Sequence, residues 1–268
     1  MPFEIIQQQV LDIINTPSRT GFDDVNKCIR IQQCLGLDSH LEQTQKKLLF
    51  MCYELDTWLH PQLGLREKFE LLRSFFFQVK RFEALGPQHS FTSQELFMDR
   101  VLSQRRGHYL ILNLIYRVLA EHIQIPIEFV RLGDLVIMKI VQGRTPLYLS
   151  LLHQASCLPP DVMIEHLKEN QISQALESVP FQNILSEIIY EHEKIFRIRG
   201  KHNLLLLIYD LLLTLNPRNL NALHKRAVLH FQMQYPQRAL LDIKRYSYLM
   251  GEKSLPAELK MIKHSLEH

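Results

Sequence analysis

Cys157 follows His153 by four residues, and a thiol beside an imidazole is the elementary nucleophile and base of acyl-transfer chemistry. On a helix the two side chains would share a face. Pro159 and Pro160 come directly after, however, and two prolines remove two amide donors and point to a loop, so an ordinary cysteine is the simpler reading. The other cysteines, Cys28, Cys34 and Cys52, make no Cys-x-x-Cys spacing, which is the pattern of a reduced, intracellular chain, and Cys52 sits as core filler in an amphipathic stretch. Thirteen histidines invite a metal. His192 lies between Glu191 and Glu193 with Glu187 a turn earlier, but no His-Glu-x-x-His or Cys/His ligand spacing occurs, so we expect no metal and no cofactor. Basic residues gather at Lys80-Arg81, Arg105-Arg106, Arg197, Arg199, Lys201 and Lys244-Arg245. Charged helix ends are ordinarily solvated; if these converged they would suit an acidic peptide or a phosphate, which makes Arg105, Arg106, Arg197, Arg199 and Lys201 candidate partner-binding residues. Asp210, Asp242 and Arg226 are expected to pair with one another or with helix ends.

The elements that must position these groups follow from periodicity. Phe3, Ile5, Ile6, Val10, Ile13 and Ile14 recur at helical spacing; Ser39 offers an N-cap to a helix over 41–58; Pro61 and Gly64 break it, and a second helix covers 65–82. Phe75, Phe76 and Phe77 are read as core rather than as an aromatic ligand box. A helix near 93–103 opens with Thr92 or Ser93 before Glu95, a capping pattern. Arg105 to His108 reads as a turn, and Tyr109 to Ala120 is apolar on almost every face, as a helix buried all round would be. Ile127, Phe129 and Val130 then read as a strand, Leu135 to Val141 as a buried second strand, Gln142 to Thr145 as a hairpin turn, and Leu147 to Leu152 as a third strand.

From Asp161 onward the pattern is helical, and a repeat of about 34 residues is visible. Counting from Leu220, the residues Leu223, Ala227, Ala239 and Tyr246 fall where such a unit wants a large, a small, a small and a packing residue. The preceding unit, helices over 182–197 and 202–215 turning at Gly200, is degenerate, with Glu193 and Leu205 at its own small positions. The expected division is 1–158, holding N-terminal helices and a core with its sheet at about 126–152, and 159–265, a helical region; Leu266 to His268 read as a polyhistidine-tag junction. The fold class is α+β, predominantly helical. With 31 basic against 28 acidic residues the net charge of +3 favours no nucleic-acid partner, and 46% hydrophobic residues are ample for a core. The first residues lack a basic n-region and no apolar run is long enough to span a bilayer, so a cytoplasmic location is expected; the oligomeric state stays open.

Helix, strand, strand, strand in this order resembles the transglutaminase-like fold, in particular its bacterial SirB-type branch, where such a core precedes tetratricopeptide-like helices. The resemblance rests on Arg106-Gly107 opening the hydrophobic helix, on Gln124-Ile125-Pro126-Ile127 at a strand start, and farther on Arg226-Ala227 and Ala239-Leu240-Leu241-Asp242-Ile243, and covers about residues 63 to 262. It implies a cysteine nucleophile at the first turn of the central helix, a histidine base on the next strands and an orienting aspartate at the end of the third. The matching positions here are Tyr109, Asp134 and Ser150. A phenol with a pKa near 10 is a poor nucleophile without a base, and a carboxylate cannot replace imidazole as a proton donor at neutral pH. The expectation is therefore a non-catalytic adaptor or regulatory protein with a protein or peptide partner; the alternative is a cysteine-dependent hydrolase or acyl-transferase using Cys157 with His153 or His108.

Overall fold

The computed structural model describes residues 3–35, 40–142, 145–157, 176–251 and 254–267. The chain divides into two compact units, one of Thr16–Ile188 and one of Met1–Asn15 with Ile189–His268. It is α+β and predominantly helical, with a small antiparallel sheet. Helix α1 (Phe3–Asn15) belongs to the second unit. The larger unit opens with a capping box that starts α2 (Gly21–Cys34): the Asp23 N–H donates to the Thr20 hydroxyl at 3.2 Å and the Thr20 N–H to the Asp23 carboxylate at 2.9 Å. Next comes α3 (Leu41–Asp56), with His40 at its N-cap; Ser39, read from the sequence as that cap, lies outside the described residues.

The helix expected over 65–82 stops being α-helical at Ser74. After α4 (Leu65–Ser74) the backbone widens into a π-helical turn, Phe75–Val79, with the Lys80 N–H donating to the Phe75 carbonyl at 2.8 Å. Phe75 and Phe76 are both buried there, and the Phe76 ring stacks on Phe82 at 4.4 Å and meets Tyr116 edge-on at 5.1 Å, so the three phenylalanines serve the core. Glu95 accepts from the N–H and hydroxyl of Thr92, at 2.8 and 3.0 Å, and caps a short 3-10 turn (Ser93–Glu95) ahead of α5 (Met98–Gln104).

Arg105 to His108 is only partly the turn that the sequence suggests. Arg105 takes the left-handed conformation (φ 61) that ends α5, but Arg106–His108 is a strand, β2, pairing in parallel with β1 (Glu83–Leu85). Local residues could not reveal this, because the partner strand is some twenty residues away. Gly107 is required by close approach: a Cβ there would stand 2.4 Å from Val101 Cγ2 and 3.0 Å from the Glu95 carbonyl oxygen.

Helix α6 (Tyr109–His122) follows without a break, and its residues Tyr109 to Tyr116 and Val118 to Ala120 are all buried. Helices α2, α3, α4 and α5 pack around it, together with both sheets. Its half-buried Arg117 bonds Asp24 of α2 at 3.0 Å and Glu121 at 2.7 Å and lies over the Phe129 ring, while Glu121 accepts the Gly21 N–H at 2.6 Å. One guanidinium thus ties the start of α2 to α6.

The four-stranded antiparallel sheet has the order β3 (Ile127–Leu132), β4 (Leu135–Gln142), β5 (Thr145–Ser150), β6 (Ser156–Cys157). Gly133, at φ 56, is the first residue of the two-residue β3–β4 loop, as a primed turn demands. The third strand ends at Ser150, short of the expected Leu152, in a 3-10 turn, and Cys157, expected in a loop, pairs with Leu149. Gly143 and Arg144 of the expected hairpin turn lie outside the described residues, as do residues 158–175 with Pro159, Pro160 and the start of the expected helical region. Beyond them the chain returns to the free edge of β3, where the Val179 N–H donates to the Phe129 carbonyl at 2.7 Å. Leu176 joins Val130, Leu132 and Ile137 in a cluster on one face of the sheet. Val136, Ile137 and Met138 are buried on both faces of β4, and Lys139 interrupts its apolar run, pairing with Glu128 of β3 at 3.0 Å.

The second unit holds α1 and the helices that follow α7 (Phe181–Ile198), which itself begins in the larger unit: α8 (His202–Leu215), α9 (Leu220–Gln232), α10 (Pro236–Met250) and α11 (Ala257–Glu267). Gly200 turns α7 into α8 at φ 62. Leu223, Ala227 and Ala239 have no exposed surface, so small side chains let α9 and α10 approach closely. Ala227, Ile243, Leu255, Leu259 and Ile262 form the core here, with Tyr246 and Leu266 packed on it; Leu266 is part of the packing and not a bystander. Between α8, α9 and α10 Arg226 binds Asp210 and Asp242, its Nε donating to Asp242 at 2.9 Å, and His230 meets Asp242 at 3.2 Å. The expected pairing of these residues is present. Burial raises the pKa of both carboxylates; for Asp242 the hydrogen bonds from His230 and Arg226 outweigh burial and leave it lowered, whereas Asp210 stays raised.

Two measurements test this packing. Gly107→Ala should destabilise the chain by about 1–3 kcal/mol through overpacking, seen as a lowered Tm in thermal unfolding; an unchanged Tm would contradict the tight approach to Val101. His192, fully buried in α7, has its pKa lowered by burial from 6.5 to about 4. The unfolded chain therefore takes up this proton first, and stability should fall as the pH drops below about 6.5, levelling off near 4, by up to about 1.4 kcal/mol per pH unit. In thermal melts from pH 7 to 5, His192→Gln should flatten that loss.

Candidate functional site

The first turn of α6 is where a nucleophile at a helix N-terminus would draw on the helix dipole. His108 stands at the N-cap, 1% exposed, with its Nδ1 accepting the Leu110 N–H at 3.2 Å and its ring packed against Phe91 at 4.5 Å and Tyr109 at 4.9 Å. The Nδ1 lone pair thus serves as the cap of the helix. Tyr109 is 4% exposed and its hydroxyl accepts the Val136 N–H across a long 3.4 Å bond. One turn on, Asn113 is 1% exposed and its Nδ2 donates to the Val136 carbonyl at 3.2 Å.

The reason lies in the register of the sheet. Strand β5 pairs with β4 only from Met138 onward, so Val136 has no strand partner on that side. A buried backbone N–H and C=O without partners would each cost about 1–3 kcal/mol. Tyr109 and Asn113, spaced i and i+4 on one face of α6, supply both partners. The residue at the helix start is thus a main-chain anchor for β4. Sequence reasoning missed Asn113; its signal was a lone amide in an otherwise apolar helix.

Asp134 lies exposed at the tip of the β3–β4 loop, and Ser150 is 5% exposed at the end of β5, where its carbonyl accepts the Ala155 N–H at 2.9 Å. Cys157 and His153 are both exposed, on β6 and in the 3-10 turn before it, while His108 is buried. Cys28 and Cys52 are buried, and burial pushes their thiols up to about 12 and about 11. Among the described residues no group of three or more His, Cys, Asp or Glu side chains is placed to hold a metal ion, and no helix is long and apolar enough to cross a membrane.

The five basic candidates divide between the two units. Arg105 is half-buried, donating through Nη1 to the Lys80 carbonyl at 2.9 Å and lying over Phe82, so its guanidinium closes the end of the π-helical turn. Arg106 is exposed and pairs with Glu83 across β1 and β2 at 3.3 Å. In the other unit Arg197, Arg199 and Lys201 are exposed around the α7–α8 turn. Arg197 leans on the buried Glu193 at 3.7 Å, which also accepts from Tyr209 at 2.9 Å and Lys225 at 3.2 Å.

The larger unit thus sets the first turn of a buried helix against an antiparallel sheet. Residues 42–189 match the transglutaminase-like superfamily, more than half of the chain and nearly all within the larger unit, and the chain belongs to that superfamily. No curated protein and no solved structure matches it.

Removing the anchors should be felt in stability. Asn113→Ala leaves the Val136 carbonyl, and Tyr109→Phe the Val136 N–H, buried without its partner; each should lower stability by about 1–3 kcal/mol, with the longer Tyr109 bond giving the smaller loss. Denaturant melts of both variants check this; a larger loss for Tyr109→Phe than for Asn113→Ala would contradict the assignment.

Proposed function

We propose that this chain is a non-catalytic member of its superfamily, an adaptor or regulatory protein that binds a protein or peptide partner through its transglutaminase-like core and its C-terminal helices. The observation that carries the reading is Tyr109. The position that would hold a thiolate carries a buried phenol whose hydroxyl accepts a main-chain hydrogen bond. A phenol ordinarily titrates at about 10 and is a far weaker nucleophile at neutral pH than a thiolate, so the residue type at this position supports the non-catalytic reading.

The C-terminal helices we read as tetratricopeptide-like and the whole as the SirB-type arrangement of a bacterial, cytoplasmic protein. Supporting this are the helix pairs α7–α8 and α9–α10, the turn at Gly200, and the fully buried Leu223, Ala227 and Ala239 at the large and small positions of the repeat. Helix pairs of this kind bury their faces against neighbours and leave extended surfaces for a partner.

A panel of transamidase, deamidase, thioesterase and peptidase substrates tests the non-catalytic reading, together with thiol labelling. Wild-type protein should show no turnover above blank, and a small thiol-reactive probe at mildly acidic pH should leave the exposed Cys157 unmodified, since only an activated thiolate reacts there. Turnover that disappears with Cys157→Ser, His153→Ala or Tyr109→Phe would overturn it.

A further inference from the structure

Helix α10 presents an unusual solvent face. Leu241 is 65% exposed and Tyr248 88% exposed, spaced by two turns, and Arg238, Lys244 and Arg245 lie on the same stripe, all exposed. The only carboxylate on this helix, Asp242, is 4% exposed and points inward to Arg226 and His230. The exposed side of α10 therefore carries three cations, a leucine and a tyrosine, and no acid.

This face borders a groove of about 430 Å³ between α8, α9 and α10. Leu206, Met233 and Leu241 form its apolar wall, and Tyr235 and Arg238 stand at its mouth, the guanidinium carbon 5.5 Å from the tyrosine ring centre. The floor is charged but closed on itself, because Arg226 spans Asp210 and Asp242. Arg226 thus offsets much of the floor's negative charge; of the three exposed cations Arg238 lines the groove, and Lys244 and Arg245 lie farther along the same face of α10. One donor of Arg245 is used on the Pro217 carbonyl at 2.8 Å, which fixes the side chain and leaves its remaining N–H groups outward.

We propose that this groove and the adjoining face of α10 receive an acidic peptide segment of a partner protein, its carboxylates on Arg238, Lys244 and Arg245 and an apolar side chain between Leu206, Met233 and Leu241. Charge complementarity selects the acidic character, and the groove's apolar wall selects a peptide over a nucleic acid, whose phosphates would have no use for it. The inference rests on the adaptor reading and names the chemistry of the partner at the C-terminal helices.

The test titrates the full chain into fluorescein-labelled probes, followed by anisotropy: a synthetic Glu/Leu-rich peptide, a Lys/Leu-rich peptide of equal length, and a single-stranded oligouridylate. The Glu/Leu peptide should bind, weaken as salt rises, and lose about tenfold or more in affinity with Leu241→Glu and with the pair Arg238→Glu and Arg245→Glu. Leu241, Arg238 and Lys244 are exposed, so Leu241→Glu and Lys244→Glu should keep the wild-type Tm and Lys244→Glu serves as an independent check of the same face, whereas Arg245→Glu also gives up the bond to Pro217 and is read beside its own Tm. Absence of Glu/Leu binding, equal binding of the Lys/Leu peptide, or preference for the oligouridylate would overturn the proposal. Acidic-peptide binding that these variants leave untouched and Arg106→Glu abolishes would also overturn it while leaving the adaptor reading standing. Only turnover in the substrate panel strikes at that reading itself.

Discussion

A helix with no solvent face must have every polar group it carries satisfied from inside the protein, and the larger unit is arranged around that requirement in α6. Its apolar side chains draw in α2 to α5 and both sheets, each fully buried leucine or isoleucine contributing about 1.5–3 kcal/mol. Its few polar groups are then put to structural use. Arg117 is neutralised by Asp24 and Glu121, Asn113 and Tyr109 hold β4, and His108 caps the first turn. Tyr116 differs: among the described residues its buried hydroxyl has no hydrogen-bond partner, and its ring meets Phe76 edge-on. Burial pushes its phenol well above the usual range. The ring contacts offset the cost of the stranded hydroxyl.

The start of the same helix is built as a structural junction. The dipole at the N-terminus of α6 would stabilise a thiolate, but the site holds a phenol whose oxygen faces a main-chain N–H. What β5 leaves unpaired on β4, the helix pairs. Gly107 belongs to the same device, since the strand that leads into α6 passes too close to Val101 for any side chain. The glycine that leads into the helix is therefore needed for packing whether or not anything reacts there.

The second unit handles charge differently. Arg226, Asp210, Asp242 and His230 form a partly buried network in which removing one partner would strand a charge at a cost of about 3–5 kcal/mol. That network keeps the acid of α10 inward, and so leaves the outer face of the helix uniformly basic. Packing between α8, α9 and α10 and the surface chemistry of α10 are two sides of one arrangement.

Much of this was legible from residue order. The period of Tyr109 to Ala120 announced a central helix, the run from Leu135 to Val141 a buried strand, Thr92 and Glu95 a cap, Gly200 a turn, and Arg226 with its aspartates a buried group, because these signals are local and the physics behind them acts within a few residues. The parallel pairing of β1 with β2, the pairing of Cys157 with Leu149, the return of Val179 to the edge of β3 and the bonds of Tyr109 and Asn113 to Val136 were not. Each joins segments whose separation along the chain carries no periodic signal, and each depends on which strand edge remains unpaired once the sheet has formed. The sequence by itself determined that Tyr109, not a cysteine, stands at the start of the central helix. Only the tertiary structure decided what that tyrosine does, since the hydrogen bond it makes exists only because β5 stops short of Val136.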